Sequence, residues 1–245
     1  MYLPIIIIAR GGSKRILRKN VKSFCGKPLV EWSIIQAKCA RQASEVILST
    51  DDDEIAAIGD RHHIRVLRRP TMPDDTPGSV PMTLALNRLK VEHKFDTNLP
   101  ILPTNTLRLP NDLDNAISLY YGQKKVMGRY RKTVVAVTAN DTEVCEISDK
   151  GYCNYMSFRG WPVCYLNVGL LSVEPVWKWK KSETGIYHQA DRHAHRRVRR
   201  TNRINRDFIP YVVSRWQNID IDHPDQFELA EHNFQKYILD EGYYK

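Results

Sequence analysis

Four consecutive isoleucines, Ile5 to Ile8, framed by Leu3-Pro4 and Ala9-Arg10-Gly11-Gly12, constrain this chain more than any other feature. A β-branched run without polar alternation suits a strand covered on both faces, and such strands belong to parallel sheets flanked by helices. The run is far shorter than the ~20 apolar residues of a membrane span. No basic, apolar and small-residue leader precedes it, so the expected location is the cytoplasm, with no membrane partner. Five cysteines (Cys25, Cys39, Cys145, Cys153, Cys164) form no CxxC pair, which points to neither a disulfide framework nor a zinc site.

After the first strand the apolar spacing of Leu29, Trp32, Ile35 and Cys39 predicts a helix, and Glu45 to Thr50 a second short strand. The alternation continues with helices near 52–60, 79–93 and 111–121 and strands near 64–67, 99–102 and 133–138. This order implies an α/β fold, three layers around a mostly parallel sheet. Between Thr142 and Phe158 the rhythm shortens around Asp149-Lys150-Gly151, which predicts a hairpin, bounded at 142–160, inserted in a single domain spanning 1–245. A strand from Tyr165 to Val173, the Ile219-Asp220-Ile221-Asp222 strand and a helix from Pro224 to Leu239 complete the expectation.

The net charge of +9 is concentrated: residues 10–27 carry +7 and residues 188–206 carry +6, so the remainder is acidic at −4. Such islands favour discrete anion sites over a coat for nucleic acid. The arginines of 188–206 lack interleaved aromatics, which argues against single-strand binding and leaves a solvated face or a lid. The other island follows the first strand, and open α/β sheets bind ligands beyond the carboxyl ends of their strands. Gly11 and Gly12 would let backbone N–H groups approach an anion, with Lys14 and Lys19 neutralising phosphate oxygens. Ile16 stands where a Walker loop from Gly11 needs glycine, so the pattern is not a P-loop.

Several short motifs occur in a fixed order. The opening Ala9-Arg10-Gly11-Gly12-Ser13-Lys14-Arg15 comes first, with Arg18-Lys19-Asn20 and Gly26-Lys27-Pro28-Leu29 after it. Ser49-Thr50-Asp51-Asp52, Arg69-Pro70 with Asp75-Thr76 and Ser79, and Pro103-Thr104 with Leu107-Arg108 follow in order. Asn167-Val168-Gly169 and Asp220-Ile221-Asp222 with Pro224 close the series. This series closely resembles the cytidylyltransferases that make CMP-activated nine-carbon keto-sugar acids, the CMP-sialic acid synthetase family with its pseudaminic and legionaminic acid members.

The resemblance implies a nucleotide-diphospho-sugar-transferase-like, Rossmann-like sheet that moves CMP from CTP onto a sugar acid, with Mg²⁺, in a homodimer formed through the 142–160 hairpin. By the same resemblance Arg10, Ser13, Lys14 and Lys19 hold the triphosphate, and Asn20 lies beside the nucleotide. Arg69, Asp75 and Ser79 stand near the cytosine and ribose. Ala9, Gly11, Gly12, Asp51, Thr104, Arg108 and Asn167 complete the substrate contacts, with Arg10, Lys14, Lys19 and Asp222 as the catalytic set. Asp220 and Asp222 are the metal ligands, since residues i and i+2 of a strand face one way and hard cations prefer oxygen. An Asp just ahead of a helix with Pro224 in its first turn is equally a good N-cap. Where the family commonly has Gln before Pro-Thr this chain has Leu102, and its usual Ser-Pro is Asn105-Thr106. These departures bear on the choice of sugar. They also keep two alternatives in view: a nucleotidyltransferase for another base or sugar, and a catalytically impaired homologue binding nucleotide or nucleic acid.

Overall fold

A computed structural model describes residues 2–123, 133–140, 144–147, 153–156, 164–175, 179–181, 187–189 and 208–244. The first half runs β1 (Pro4–Ala9), β2 (Ser23–Phe24), β3 (Lys27–Pro28), α1 (Leu29–Lys38), β4 (Glu45–Thr50), α2 (Asp53–Arg61) and β5 (Arg65–Arg68). It continues through α3 (Ser79–Glu92), β6 (Thr97–Ile101), α4 (Asp112–Gly122) and β7 (Thr133–Asn140). Then come β8 (Val144–Ile147), β9 (Cys153–Met156), β10 (Cys164–Pro175), β11 (Trp179–Lys181), β12 (Tyr187–Gln189) and β13 (Phe208–Val212). Helix α5 (Pro224–Phe234), extended by a wider turn over Gln235–Leu239, follows.

The main sheet has seven strands in the order β13-β7-β10-β6-β1-β4-β5. Pairing is parallel except at β10, which runs antiparallel to both β6 and β7. The isoleucine run explains why β1 is central. Ile5, Ile7 and Ala9 enter one core with Trp32 of α1, Ile55 of α2, Ile117 of α4 and Phe234 of α5. Ile6 enters the other core with Met82, Ala85 and Leu86 of α3, and Ile8 packs against its edge. Both faces of the strand are therefore apolar environments, which alternation with polar residues would not tolerate. The α/β class inferred from the sequence is the observed one. No helix among the described residues is long and apolar enough to cross a membrane.

Two differences from the sequence reading have physical causes. Strand β13 lies outside the sequence expectation: it is five residues long with Pro210 inside, and among the described residues it pairs only with β7. Proline cannot donate to a ladder and is tolerated in such an edge position. Residues 219–222 keep the buried and outward alternation of a strand yet join no ladder. They are tied to the segment after β6 by the Ile221 N–H, which donates to the Thr104 carbonyl at 2.9 Å, and by Asn105, whose Nδ2 donates to the Ile219 carbonyl at 3.5 Å. Within 142–160, β8 and β9 pair antiparallel as a two-stranded sheet separate from the main one. The Arg-rich stretch from 190 to 206, Trp161 and Trp177 lie outside the described residues.

Helix α2 begins on Asp52, whose Oδ1 accepts the Ile55 N–H at 3.0 Å while the carboxylate also takes the Arg18 guanidinium. The hydrogen bond from Arg18, with lesser help from helix N–H groups and against some burial, holds this carboxyl below its ordinary value. A depressed folded-state value contributes stability above the unfolded carboxylate pKa of about 4, and that contribution is lost as pH falls through the folded value. Asn caps a helix as well as Asp. Asp52→Asn should thus flatten the fall of melting temperature between pH 6 and 3, whereas Asp52→Ala should lose about 1 kcal/mol more at both pH values. Thermal melts across that range check both, and an acid limb unchanged in Asp52→Asn would refute the assignment.

Candidate functional site

The carboxyl ends of β1, β5 and β6 open into a cavity of about 510 Å³. From β1 the chain proceeds to β4 and β5 on one side and reaches β6 on the other, so the cavity lies where the strand order reverses. That is where open α/β sheets form a ligand crevice. The turn after β1 supplies Arg10, Ser13, Lys14, Arg15, Lys19 and Asn20; the stretch after β5 supplies Arg69 and Asp74; the segment after β6 supplies Thr104; and Asp222 arrives from the C-terminal segment.

Lys19 ties the two distant parts together. Its buried ammonium donates to the Ile221 carbonyl and lies 3.1 Å from Asp222 Oδ1, a contact across 203 positions of sequence. Arg15 Nη1 holds the other oxygen of Asp222 at 3.1 Å. Burial opposes ionisation of Asp222, yet the hydrogen bond and charge of Lys19, with Arg15 and His223, keep its carboxyl below the ordinary value. Asp222 is not the cap of α5. That place belongs to His223, and Gln226 Oε1 accepts the N–H groups of both Asp222 and His223 at 2.8 and 2.9 Å. The carboxylate is thereby left to face the cations.

Asp74 answers the same cations from the opposite loop. It lies 2.5 Å from Lys14 Nζ and 3.4 Å from Arg10 Nη1, and the hydrogen bond from Lys14 holds its carboxyl low. The site is therefore a ring of cations bridged by two carboxylates. Asn20 donates to the Arg10 carbonyl at 2.8 Å and fixes the turn, while its own Oδ1 is buried without a hydrogen-bond partner among the described residues.

Of the residues singled out in the sequence, Arg10, Ser13, Lys14, Lys19, Asn20, Arg69, Thr104 and Asp222 line this cavity. Others do not. Asp51 is committed elsewhere: Oδ1 accepts the Gly11 N–H at 3.1 Å and Oδ2 lies 3.3 Å from Arg69 Nη1. Arg69 in turn donates to the Ala9 carbonyl at 3.4 Å. Gly11 therefore does not offer its N–H to the cavity. It is glycine because a Cβ there would come within 2.3 Å of Asp52 Oδ2. Gly11, Gly12, Ser13 and Asp51 border a shallower cleft of about 280 Å³ behind the turn.

Arg108 departs furthest from expectation. Its side chain is fully buried, donating to Gln36 Oε1 at 3.0 Å and to the Leu102 carbonyl at 2.9 Å. It braces the segment that carries Thr104 and does not border the cavity. Asp75 and Ser79 stay outside the lining, where their neighbours Asp74 and Gly78 take part instead. Asp220 points outward beside Asp222 but does not border the cavity. Asn167 sits on β10 opposite Val137 of β7, where the pairing shifts register. Sequence reasoning missed Asp74 and the cavity role of Arg15, although Arg15 belonged to the quoted basic run. Among the described residues no three His, Cys, Asp or Glu side chains gather as a metal-binding group.

Comparison with known proteins gives this geometry its family. A CMP-N,N'-diacetyllegionaminic acid synthase of Legionella pneumophila is 30% identical over 142 residues, covering 56% of this chain and 58% of that protein. A pseudaminic acid cytidylyltransferase of Campylobacter jejuni is 43% identical over 76 residues, covering 30% of this chain and 33% of that protein. The matched stretches thus span between a third and somewhat over half of these relatives. In fold, a CMP:2-keto-3-deoxy-manno-octonic acid synthetase solved with CTP superposes with a TM-score of 0.68 at 14% identity, covering 97% of this chain and all of that one. The profile of the family described as Cytidylyltransferase matches residues 4–195, from the start of β1 into the Arg-rich stretch. With that match extending over more than three-quarters of its length, the chain belongs to the cytidylyltransferase family.

Proposed function

We propose that this chain transfers CMP from CTP to the anomeric hydroxyl of a nonulosonic acid of the sialic, pseudaminic or legionaminic type. The meeting of Lys19 and Asp222 at one cavity with Arg10, Lys14, Arg15 and Asn20 is the observation that carries the reading. In the displacement the sugar oxygen bonds to the α-phosphorus, the bond to the β-phosphate bridge breaks, and pyrophosphate leaves with the electron pair as the hydroxyl proton is released. Negative charge grows on the leaving side, so fixed cations there stabilise the transition state more than the ground state. Lys19 suits this task because a backbone carbonyl and Asp222 orient its ammonium in advance. Arg10 and Lys14 now share Asp74, and phosphate oxygens would replace that carboxylate as more highly charged partners.

Magnesium fits the residues present. Mg²⁺ takes one or two carboxylates and fills its shell with phosphate oxygens and water, so Asp222 at the cavity would serve as a protein ligand, with Asp220, two residues before it and outside the lining, as the second of the pair. When bound, the ion would supply charge neutralisation on the phosphates. The β8–β9 hairpin is assigned to self-association on the strength of the resemblance.

Purified protein given CTP, Mg²⁺ and a panel of such acids is expected to release pyrophosphate, with UTP, GTP and ATP much poorer. Failure with every acid, while a proven family enzyme works in parallel, would overturn the proposal. Light scattering on the same preparation should give twice 28.5 kDa, and the mass of one chain would remove the hairpin from the dimer role.

A further inference from the structure

The wall of the cavity is held in two different ways. Ile8 lies in β1 and Leu102 follows β6, so that part of the lining belongs to the sheet. Asp74, Thr76 and Gly78 come instead from the stretch between β5 and α3, where no residue from Pro70 to Gly78 is buried. Among the described residues, the hydrogen bonds and ion pairs that join residues 70–78 to the turn after β1 all end on Asp74. Its carboxylate lies 2.5 Å from Lys14 Nζ and 3.4 Å from Arg10 Nη1, and its carbonyl accepts from Arg10 at 3.3 Å. All three side chains are well exposed, and exposed ion pairs are worth little singly. A segment with no buried residue and one polar tie to the turn opens locally at low cost. Pro70, Pro73 and Pro77 restrict its backbone, so Asp74 moves together with its neighbours.

We infer that Asp74 is a built-in anion: it takes the place of a phosphate group on Arg10 and Lys14, and a polyphosphate that captures these two cations releases the wall formed by residues 70–78. The inference rests on the reading of the basic turn as a triphosphate site and adds how that site lets its ligand go. A carboxylate carries one negative charge, whereas pyrophosphate or a triphosphate brings several, so the polyanion wins the exchange. The displaced carboxylate nevertheless stays tethered beside the cations, at a high effective concentration. It competes with whatever is leaving, and apparent affinity falls in proportion to the fraction of molecules whose cations are free. Asp74 thereby weakens the hold on pyrophosphate, the product of the proposed transfer, and its departure loosens the wall at Thr76 and Gly78.

The probe is inorganic pyrophosphate alone, without nucleotide or sugar. Calorimetric titration of Asp74→Asn should show binding about threefold to tenfold tighter than that of the native chain. Its melting temperature should be unchanged, because the side chain is exposed. Backbone amide relaxation at residues 74–76 supplies a readout that loss of charge alone would not move. In the native chain pyrophosphate should lower the order parameters there, from about 0.85 toward 0.6, the reverse of the ordering that a ligand imposes on a loop it touches. In Asp74→Asn they should be low at the outset and indifferent to pyrophosphate. Asp222→Asn removes the same charge from the cavity without touching this stretch, and should keep the native response. Affinities of native and Asp74→Asn protein within about twofold, or tighter binding by Asp74→Asn with residues 74–76 equally ordered throughout, overturn the inference while the phosphate site stands. Pyrophosphate bound by neither chain overturns the phosphate site, and the inference with it.

Discussion

Replacing Asp222 by Asn is expected to lower pyrophosphate release by about 10²-fold to 10³-fold, the range seen when one preorganised electrostatic group is removed from a reacting centre. Melting temperature should move by no more than a few degrees. The Asp222 side chain is 47% exposed, and its contact with Arg15 is a surface ion pair of the kind worth about 0–1 kcal/mol. Asn can still accept a hydrogen bond from Lys19, so the lysine keeps a partner while the negative charge disappears. The cap of α5 is untouched, because Gln226 and not the Asp222 carboxylate serves the N–H groups at that end. Initial rates with CTP and calorimetric melts on the same sample separate the outcomes. Near-native turnover with a large loss of melting temperature would mean that the residue is structural after all.

Arg108→Ala should give the opposite signature. Truncation leaves Gln36 Oε1 without that donor, at about 1–3 kcal/mol for a buried group, strips the Leu102 carbonyl of one of its two donors, the Asn105 N–H at 3.2 Å remaining, and opens a void where the largest fully buried side chain among the described residues stood. A total of about 3–5 kcal/mol corresponds to a fall in melting temperature of about 10 °C for a chain of this size. Arginine here carries a burden of its own, since burial, partly offset by Tyr244 and Asp112, pushes its guanidinium down to about 10. Arg108→Lys retains the charge without the planar fork that reaches both acceptors, so it should recover only part of the loss. An unchanged melting temperature with abolished turnover would return Arg108 to the substrate contacts that the resemblance implies.

These two residues show how the motif reading divides. Both belong to short runs that were recognisable by eye, and both were assigned to ligands. The Asp222 side chain borders the cavity. Arg108 follows a turn rather than a period, and nothing in Leu107-Arg108-Leu109 says which way the guanidinium points. Its direction is decided by Gln36 of α1, far away in sequence, which offers Oε1 to Arg108 and donates to the Thr106 carbonyl at 2.6 Å. The Asp74 and Asp75 pair is similar. Between Pro70 and Pro77 the chain has no regular spacing, so only the docking of that stretch onto the β1 turn selects Asp74 to meet Lys14.

The sequence by itself determined the layered α/β class, the central place of β1 and the position of the basic turn beyond that strand. Those follow from local rules: β-branched runs need two covered faces, periodicity separates helix from strand, and a glycine pair ends the run. Tertiary structure alone decided that Lys19 reaches Asp222, that Asp51 braces Arg69 and Gly11, that Arg108 is inside, and that Leu102 faces the cavity. Each of those facts depends on the direction of a side chain between segments remote along the chain. Direction at such distances is set by packing and by the need of every buried polar atom for a partner, neither of which local residue order encodes.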